Sequence, residues 1–175
     1  MKFKIITFIA ILHLGFELAN LKVAFDYDDT LSFSSPAFEK VLGHKSVKPL
    51  SEKYWSMVNG NYKLEKPKYM TMAIALTAKL AGFDVVVISE REPYNCDDLV
   101  DSWNWLIDNF YFESEKSKIL EKFHFVAFFG DSDADIAQAN KAKIPAIRIR
   151  RSQRSVNKKN YNLGKYREWT LPFSG

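Results

Sequence analysis

A chain of 175 residues, 47% hydrophobic and 26% charged, carries enough apolar material for one domain with its own core, which excludes a disordered or low-complexity segment. Its net charge of +4 is too small and scattered for an extended nucleic-acid surface; the basic stretch Arg148 to Lys159 reads as a solvated strand end and loop, or as an attractor of small anions. The single cysteine, Cys96, excludes an intramolecular disulfide and a cysteine-based zinc site, and leaves the redox compartment open.

At the N-terminus, Lys2 and Lys4 precede an apolar run from Ile5 to Phe16, broken by Thr7, His13 and Gly15. The run is too short to span a membrane but matches the apolar part of a secretory signal peptide. Residues 1–19 are therefore read as a signal peptide cleaved after Ala19, although Glu17 stands where a small residue is preferred. The alternative is a buried first element of the mature domain. Cleavage implies a periplasmic or secreted protein without a stable membrane anchor; retention implies a cytoplasmic one. Residues 20–175 form one domain in this reading.

Leu21 to Phe25 is a short apolar strand that ends at acidic residues. The aromatic-rich stretch from about Phe33 to Lys66 is too long for an ordinary connection and predicts a small cap insertion. Pro67 to Leu80 carries Met70, Ile74, Leu76 and Leu80 at helical spacing, and Gly82 stops the helix. Asp84 to Ile88 is a buried, β-branched strand. A helix follows Pro93, from Asn95 to about Asn109, with Leu99, Trp103, Leu106 and Ile107 on its apolar side; Cys96 falls at its start as a packing thiol. A short helix from Ser114 to Phe123, a strand Phe125 to Phe129, a helix Ala134 to Ala142 and a strand Ala146 to Ile149 complete the order. This alternation predicts an α/β fold with a mainly parallel sheet.

Four segments that carry chemistry are each read as lying just past the C-terminal end of a predicted strand, where open α/β sheets bind ligands. They are Asp26-Tyr27-Asp28-Asp29-Thr30, Ser89 with Arg91 behind it, Lys116, and Gly130-Asp131-Ser132-Asp133-Ala134-Asp135. Singly, each has a bland reading: a solvated turn, a helix cap, a surface charge, or a calcium-type turn lacking its distal ligands. Their combination in this order is specific.

Those segments resemble the four motifs of the haloacid dehalogenase-like hydrolases: Asp-x-Asp-x-Thr, Ser/Thr, Lys and Gly-Asp-x-x-x-Asp. More narrowly, with Phe33-Ser34-Ser35-Pro36-Ala37-Phe38, Lys116-Ser117 and Ile147-Arg148-Ile149, the chain from Leu21 onward resembles bacterial class B acid phosphatases. The resemblance implies a Rossmann-like parallel sheet flanked by helices, with a small cap after the first strand. It implies hydrolysis of phosphomonoesters such as nucleotides and aryl phosphates, with Asp26 as the nucleophile that becomes an aspartyl-phosphate. Mg2+ is the implied cofactor, held by the side chains of Asp26 and Asp131 and the backbone carbonyl of Asp28, with Asp135 orienting metal-bound water. The Asp28 side chain is the implied acid and base, and Thr30, Ser89, Arg91 and Lys116 are the implied phosphate contacts. Phe38 and Trp55 match aromatic positions that line the leaving-group pocket, or else pack the insertion.

Several features depart from that family. Glu90 replaces a glycine beside the phosphate, and Asn157 replaces a loop tyrosine, for which Tyr161 is the candidate substitute. The interval from Ser89 to Lys116 is short, which predicts no additional edge strand there and a narrower sheet. The short leading segment leaves homo-oligomerisation open. The expected partners are small phosphomonoesters, not a nucleic-acid polymer. A narrow-specificity cytoplasmic phosphatase, a phosphotransferase and a non-catalytic binding protein are the rival readings.

Overall fold

The computed structural model describes residues 21–44 and 46–175, so the signal segment assigned to residues 1–19 lies outside the described residues. The elements in chain order are β1 (Lys22–Phe25), β2 (Ser32–Phe33), α1 (Ser35–Leu42), α2 (Glu52–Gly60), a 3-10 turn (Tyr62–Leu64), β3 (Lys66–Pro67) and α3 (Tyr69–Leu80). There follow β4 (Asp84–Ser89), α4 (Asp97–Trp103), β5 (Asn109–Phe112), α5 (Ser117–Lys122), β6 (Phe125–Gly130), α6 (Asp133–Lys141), β7 (Ala146–Arg148) and β8 (Trp169–Thr170).

Six strands form one sheet in the order β5-β4-β1-β6-β7-β8, and every pairing in it is parallel. Alternate side chains of a strand point to opposite faces, so one apolar run feeds two cores. Val23, Phe25, Val85 and Val87 join Leu99, Trp103, Leu106 and Phe129 on one face; Ala24, Val86 and Ile88 join Leu120, Phe128 and Ala139 on the other. Each such large side chain contributes about 1.5–3 kcal/mol on burial. The rings of Phe25 and Phe129 stack across β1 and β6 with centroids 4.7 Å apart.

β1 lies at the centre, where the connections part to either side. The carboxyl ends of β1, β4 and β6 therefore open onto one crevice. Over it sits the insertion, tied at its base by the antiparallel pair β2 and β3. Its helices α1 and α2 bury Val41, Tyr54, Trp55 and Val58 as a core of their own, with Phe38 packed against it. Ser51 caps α2 by accepting the Tyr54 N–H.

The sheet is wider than the sequence suggested. β5 is a further edge strand, pairing Val86–Ser89 with Asn109–Phe112. The short Ser89–Lys116 interval accommodates it because α4 ends at Trp103, well before the expected Asn109. Leu106 and Ile107 are buried, but in the turn that follows the helix. That turn is pinned where Asp108 donates its N–H to the Val85 carbonyl and accepts the Val85 N–H on its side chain, both at 2.8 Å. The aromatic run Asn-Phe-Tyr-Phe then joins the sheet, as aromatic residues favour. At the opposite edge, β8 pairs with β7.

Candidate active site

The first strand delivers Asp26 into the crevice, its N–H donating to the Phe129 carbonyl at 2.8 Å. The chain then turns sharply: Asp29 adopts φ 57°, and the N–H groups of Thr30, Leu31 and Ser32 all point at the Tyr27 carbonyl. The start of α3 braces this turn. Lys68 donates to the carbonyls of Asp29 and Arg150, both at 2.7 Å, and Thr71 donates to the Thr30 carbonyl at 2.6 Å.

Strand β6 supplies the second wall. Gly130 ends it, and a Cβ there would lie 2.5 Å from the Asp135 Cβ, so any larger residue would displace one of the two segments. Ser132 and Asp135 form a reciprocal capping box at the start of α6. Behind Asp131, the fully buried Arg148 donates to the Asp131 carbonyl at 2.8 Å and pairs with Asp133 and Glu168. The basic stretch is thus not a solvated strand end at Arg148.

Carboxylate oxygens of Asp26, Asp131 and Asp135 all lie within 4.8 Å of one another. The buried Lys116 ammonium, just before α5, bridges Asp26 and Asp135, the latter at 2.6 Å. Burial pushes Asp26 well above the usual carboxylate range, with Lys116 opposing that rise; burial likewise pushes Asp131 up, helped by Asp135. For Asp135, burial is outweighed by Lys116 and the carboxyl is held low. Lys116 stays charged because the two carboxylates outweigh its own burial. Crowded carboxylates held partly unpaired invite a cation, and an all-oxygen donor set suits a hard divalent ion. Asp26 and Asp131 each give one oxygen to a cation, Lys116 and Arg151 respectively, and keep the other for a metal; both oxygens of Asp135 are engaged, by Lys116 and by Ser132.

Asp28 turns the other way, towards the insertion. Its carboxylate takes Nε of Arg91 at 3.1 and 3.2 Å and Nη2 at 2.6 Å. Burial acts to raise Asp28, but Arg91 and Ser34 outweigh it and hold the carboxyl below its usual range. Ser89 is fully buried, its Oγ accepting the Arg91 N–H at 3.2 Å. Thr30 is fully buried too, with a hydroxyl that has no partner among the described residues. Phe38 lies over the Arg91 guanidinium at 5.3 Å, whereas Trp55 packs against Phe38 and Tyr54 inside the insertion.

Four further residues belong to the site. Arg151 pairs through Nε with Asp131 and donates to the Lys159 carbonyl at 2.8 Å, which holds the C-terminal loop over the carboxylates. Lys159 itself pairs with Glu90 at 2.7 Å; burial opposes its charge, but Asp26 leads the carboxylates that keep it protonated. Glu65 and Asn59, from the insertion, contact Arg91. Tyr161 does not enter the pocket as a free ring: its hydroxyl accepts the Arg151 N–H at 3.1 Å and Arg151 lies over its face. Among the described residues, no helix is long and apolar enough to cross a membrane.

No family model matches the chain. Among curated proteins, the chain is 32% identical to a class B acid phosphatase of Edwardsiella ictaluri, over 80% of this chain and 66% of the relative. It is 27% identical to a class B acid phosphatase of Salmonella arizonae, over 85% of this chain and 70% of the relative. The chain thus spans about two thirds of the length of these curated relatives. Among solved structures, it superposes on a HAD-superfamily hydrolase from Ehrlichia chaffeensis with a TM-score of 0.52, 16% identity and coverage of 73% of this chain and 86% of the other. A phosphoserine phosphatase solved as a phospho-aspartyl intermediate analogue gives a TM-score of 0.50 at 17% identity, covering 74% of this chain and 86% of the other. These two likenesses establish the fold.

Proposed function

The chain belongs to the haloacid dehalogenase-like hydrolases as a relative of the class B acid phosphatases, and from that premise we propose that it hydrolyses phosphomonoesters through an aspartyl-phosphate on Asp26. The observation that carries this reading is the Lys116 ammonium set between Asp26 and Asp135, beside Asp131. A lone buried carboxylate would take up a proton and lose its nucleophilicity; the fixed ammonium beside Asp26 favours its anion and opposes the rise that burial imposes.

Attack of a carboxylate on a phosphate dianion is opposed by charge. Asp26 and Asp131 would hold magnesium together with the Asp28 carbonyl, as expected for an ion that accepts few protein oxygens and keeps its waters. A magnesium ion there supplies positive charge that offsets the repulsion between phosphate and carboxylate. Lys116 supplies more, and Ser89 and Thr30 offer hydroxyls to the phosphoryl oxygens.

In the first half-reaction a carboxylate oxygen of Asp26 bonds to phosphorus while the ester P–O bond breaks; Asp28, after taking up a proton from acidic solvent against the hold of Arg91, gives it to the departing oxygen. In the second, water attacks the aspartyl-phosphate, Asp28 takes the water's proton, and orthophosphate leaves with Asp26 restored. Asp135 and Ser132 keep Lys116 and the Asp131 turn in place.

The substrate class is small organic phosphates, nucleotides and aryl esters among them, with the insertion and Phe38 bordering the leaving group. Export to the periplasm or the medium fits the apolar segment from Ile5 to Phe16. The deciding experiment is hydrolysis of p-nitrophenyl phosphate with and without magnesium, beside Asp26→Asn. Magnesium-dependent turnover abolished in the variant is the expected result. A folded protein without turnover at acidic or neutral pH would overturn the reading.

A further inference from the structure

All three nitrogens of the Arg91 guanidinium are engaged within the protein. Nε lies 3.1 and 3.2 Å from the two Asp28 oxygens. Nη2 lies 2.6 Å from Asp28 and 2.7 Å from Glu65, and Nη1 lies 3.3 Å from the Asn59 side-chain oxygen. The ring of Tyr27 is 4.8 Å from the guanidinium carbon and that of Phe38 is 5.3 Å from it. The Arg91 side chain is 0% exposed. A guanidinium so enclosed is built to hold its neighbours rather than to wait for a ligand.

Glu65 anchors it from the far side. Its side chain is 3% exposed, and the oxygen not given to Arg91 accepts the Tyr27 hydroxyl at 2.6 Å and the Ser32 hydroxyl at 3.1 Å. Tyr27 is itself fixed by the Trp103 indole N–H at 3.2 Å. Asn59 is equally constrained, donating to the carbonyls of Glu92 and Tyr94 at 2.9 and 2.8 Å. The chain from Asn59 to Glu65 therefore fixes Arg91 from the insertion, and Arg91 fixes Asp28.

We propose that Glu65 is a positioning residue for the reaction: through Arg91 it holds the Asp28 carboxyl where it can pass a proton to the leaving group. This rests on the phosphatase reading above. Without Glu65, Nη2 loses an ionic partner, the buried guanidinium is left with one carboxylate, and its hold on Asp28 is no longer fixed from both sides. A positioned acid matters most when the departing alkoxide is unstable without a proton, and least when it is a stabilised phenolate.

The test compares glycerol 2-phosphate, which leaves as an alkoxide, with p-nitrophenyl phosphate. Glu65→Ala should lower kcat on the glycerol ester by about tenfold or more, part of the roughly 10²–10⁴-fold that a positioned acid–base group contributes, and change the aryl ester by no more than about threefold. Glu65→Gln, isosteric but with one acceptor oxygen for the three groups that donate to Glu65, should fall between Glu65→Ala and the native protein and carries the test if Glu65→Ala does not fold. Equal losses on both esters, or none, would overturn the proposal, because a general structural role does not distinguish leaving groups. A readout independent of turnover is the Arg91 Nε–H resonance, which should be protected from exchange in the native protein and exposed in Glu65→Gln. If the native protein hydrolyses neither ester, the phosphatase reading has failed; an Nε–H resonance unmoved by Glu65→Gln overturns the anchoring itself.

Discussion

Gly130 and Asp135 approach so closely that a Cβ on the glycine would sit 2.5 Å from the Asp135 Cβ. No real contact tolerates that distance, so Gly130→Ala must push α6 or the end of β6 aside. Overpacking of this kind costs about 1–3 kcal/mol. The displaced group is the one that holds Lys116 at 2.6 Å. Gly130→Ala should therefore lower both the melting temperature and kcat, and native values for both would mean that Asp135 need not be held where it is.

Asp131 faces two cations of different kinds: Arg151, already paired with it, and the divalent ion proposed for the carboxylate cluster. Magnesium binding to the native state alone raises stability by mass action. A melting temperature that climbs with magnesium concentration is expected for the native protein, and a flat response is expected for Asp131→Asn. A chelator should abolish turnover reversibly. An equal rise in the variant would place the ion elsewhere.

Phe38 and Trp55 are alike in the sequence but differ in surroundings. Trp55 belongs to the core of the insertion, with Val41, Tyr54 and Val58, while Phe38 also touches the Arg91 guanidinium. Trp55→Ala should act on stability, by about 3–5 kcal/mol as for other buried large-to-small changes, and on the substrate only through that loss. Phe38→Ala should shift KM between aryl and alkyl phosphates. Calorimetry beside steady-state kinetics separates the two, and a substrate-selective KM effect in Trp55→Ala would return that ring to the leaving-group pocket.

What the sequence made legible follows from how locally each feature is encoded. Asp26, Asp131 and Asp135 stand next to apolar runs whose strand character is plain, so their convergence at one end of a parallel sheet could be read from order alone. Lys116 could be placed by its position in that order. β5 was hidden because Asn109 to Phe112 follows an apolar stretch, Leu99 to Ile107, that keeps a helical period beyond the real end of α4. β8 is a pair of residues in a polar C-terminal stretch and has no period to detect. Glu65 and Lys159 were missed because their partners, Arg91 and Glu90, are distant in sequence and nothing in their own neighbourhoods marks them. An ion pair between distant segments leaves only a charged residue in an otherwise aromatic or polar loop, a signal too common to act on alone.

The pH dependence of stability has two limbs with opposite signs. Asp133 and Glu168 close on the buried Arg148, and Glu168 also accepts the N–H groups of Gly164 and Tyr166 at 3.0 and 2.9 Å. Burial acts to raise both carboxyls, but for Asp133 the Asn162 and Lys165 contacts outweigh it, and for Glu168 the backbone N–H groups and Arg148 do. Both are therefore lower in the folded state than in the unfolded chain, where Asp and Glu titrate near about 4. Between those values the unfolded chain binds more protons, so their contribution is complete above about pH 5 and is lost as pH falls through the folded values. Asp131 runs the other way: burial and Asp135 push it up to about 7 in the metal-free protein, so the folded state binds the extra proton and stability declines as pH rises from about 4 towards 7. Metal-free protein should thus melt highest near pH 4–5 and progressively lower by pH 8. Arg148→Leu should lower stability above about pH 5, where Asp133 and Glu168 are charged, since it leaves them without their buried cation. Melting curves across pH check this directly, and metal-free protein that is equally stable at pH 5 and pH 8 would show that Asp131 carries no extra proton in the fold.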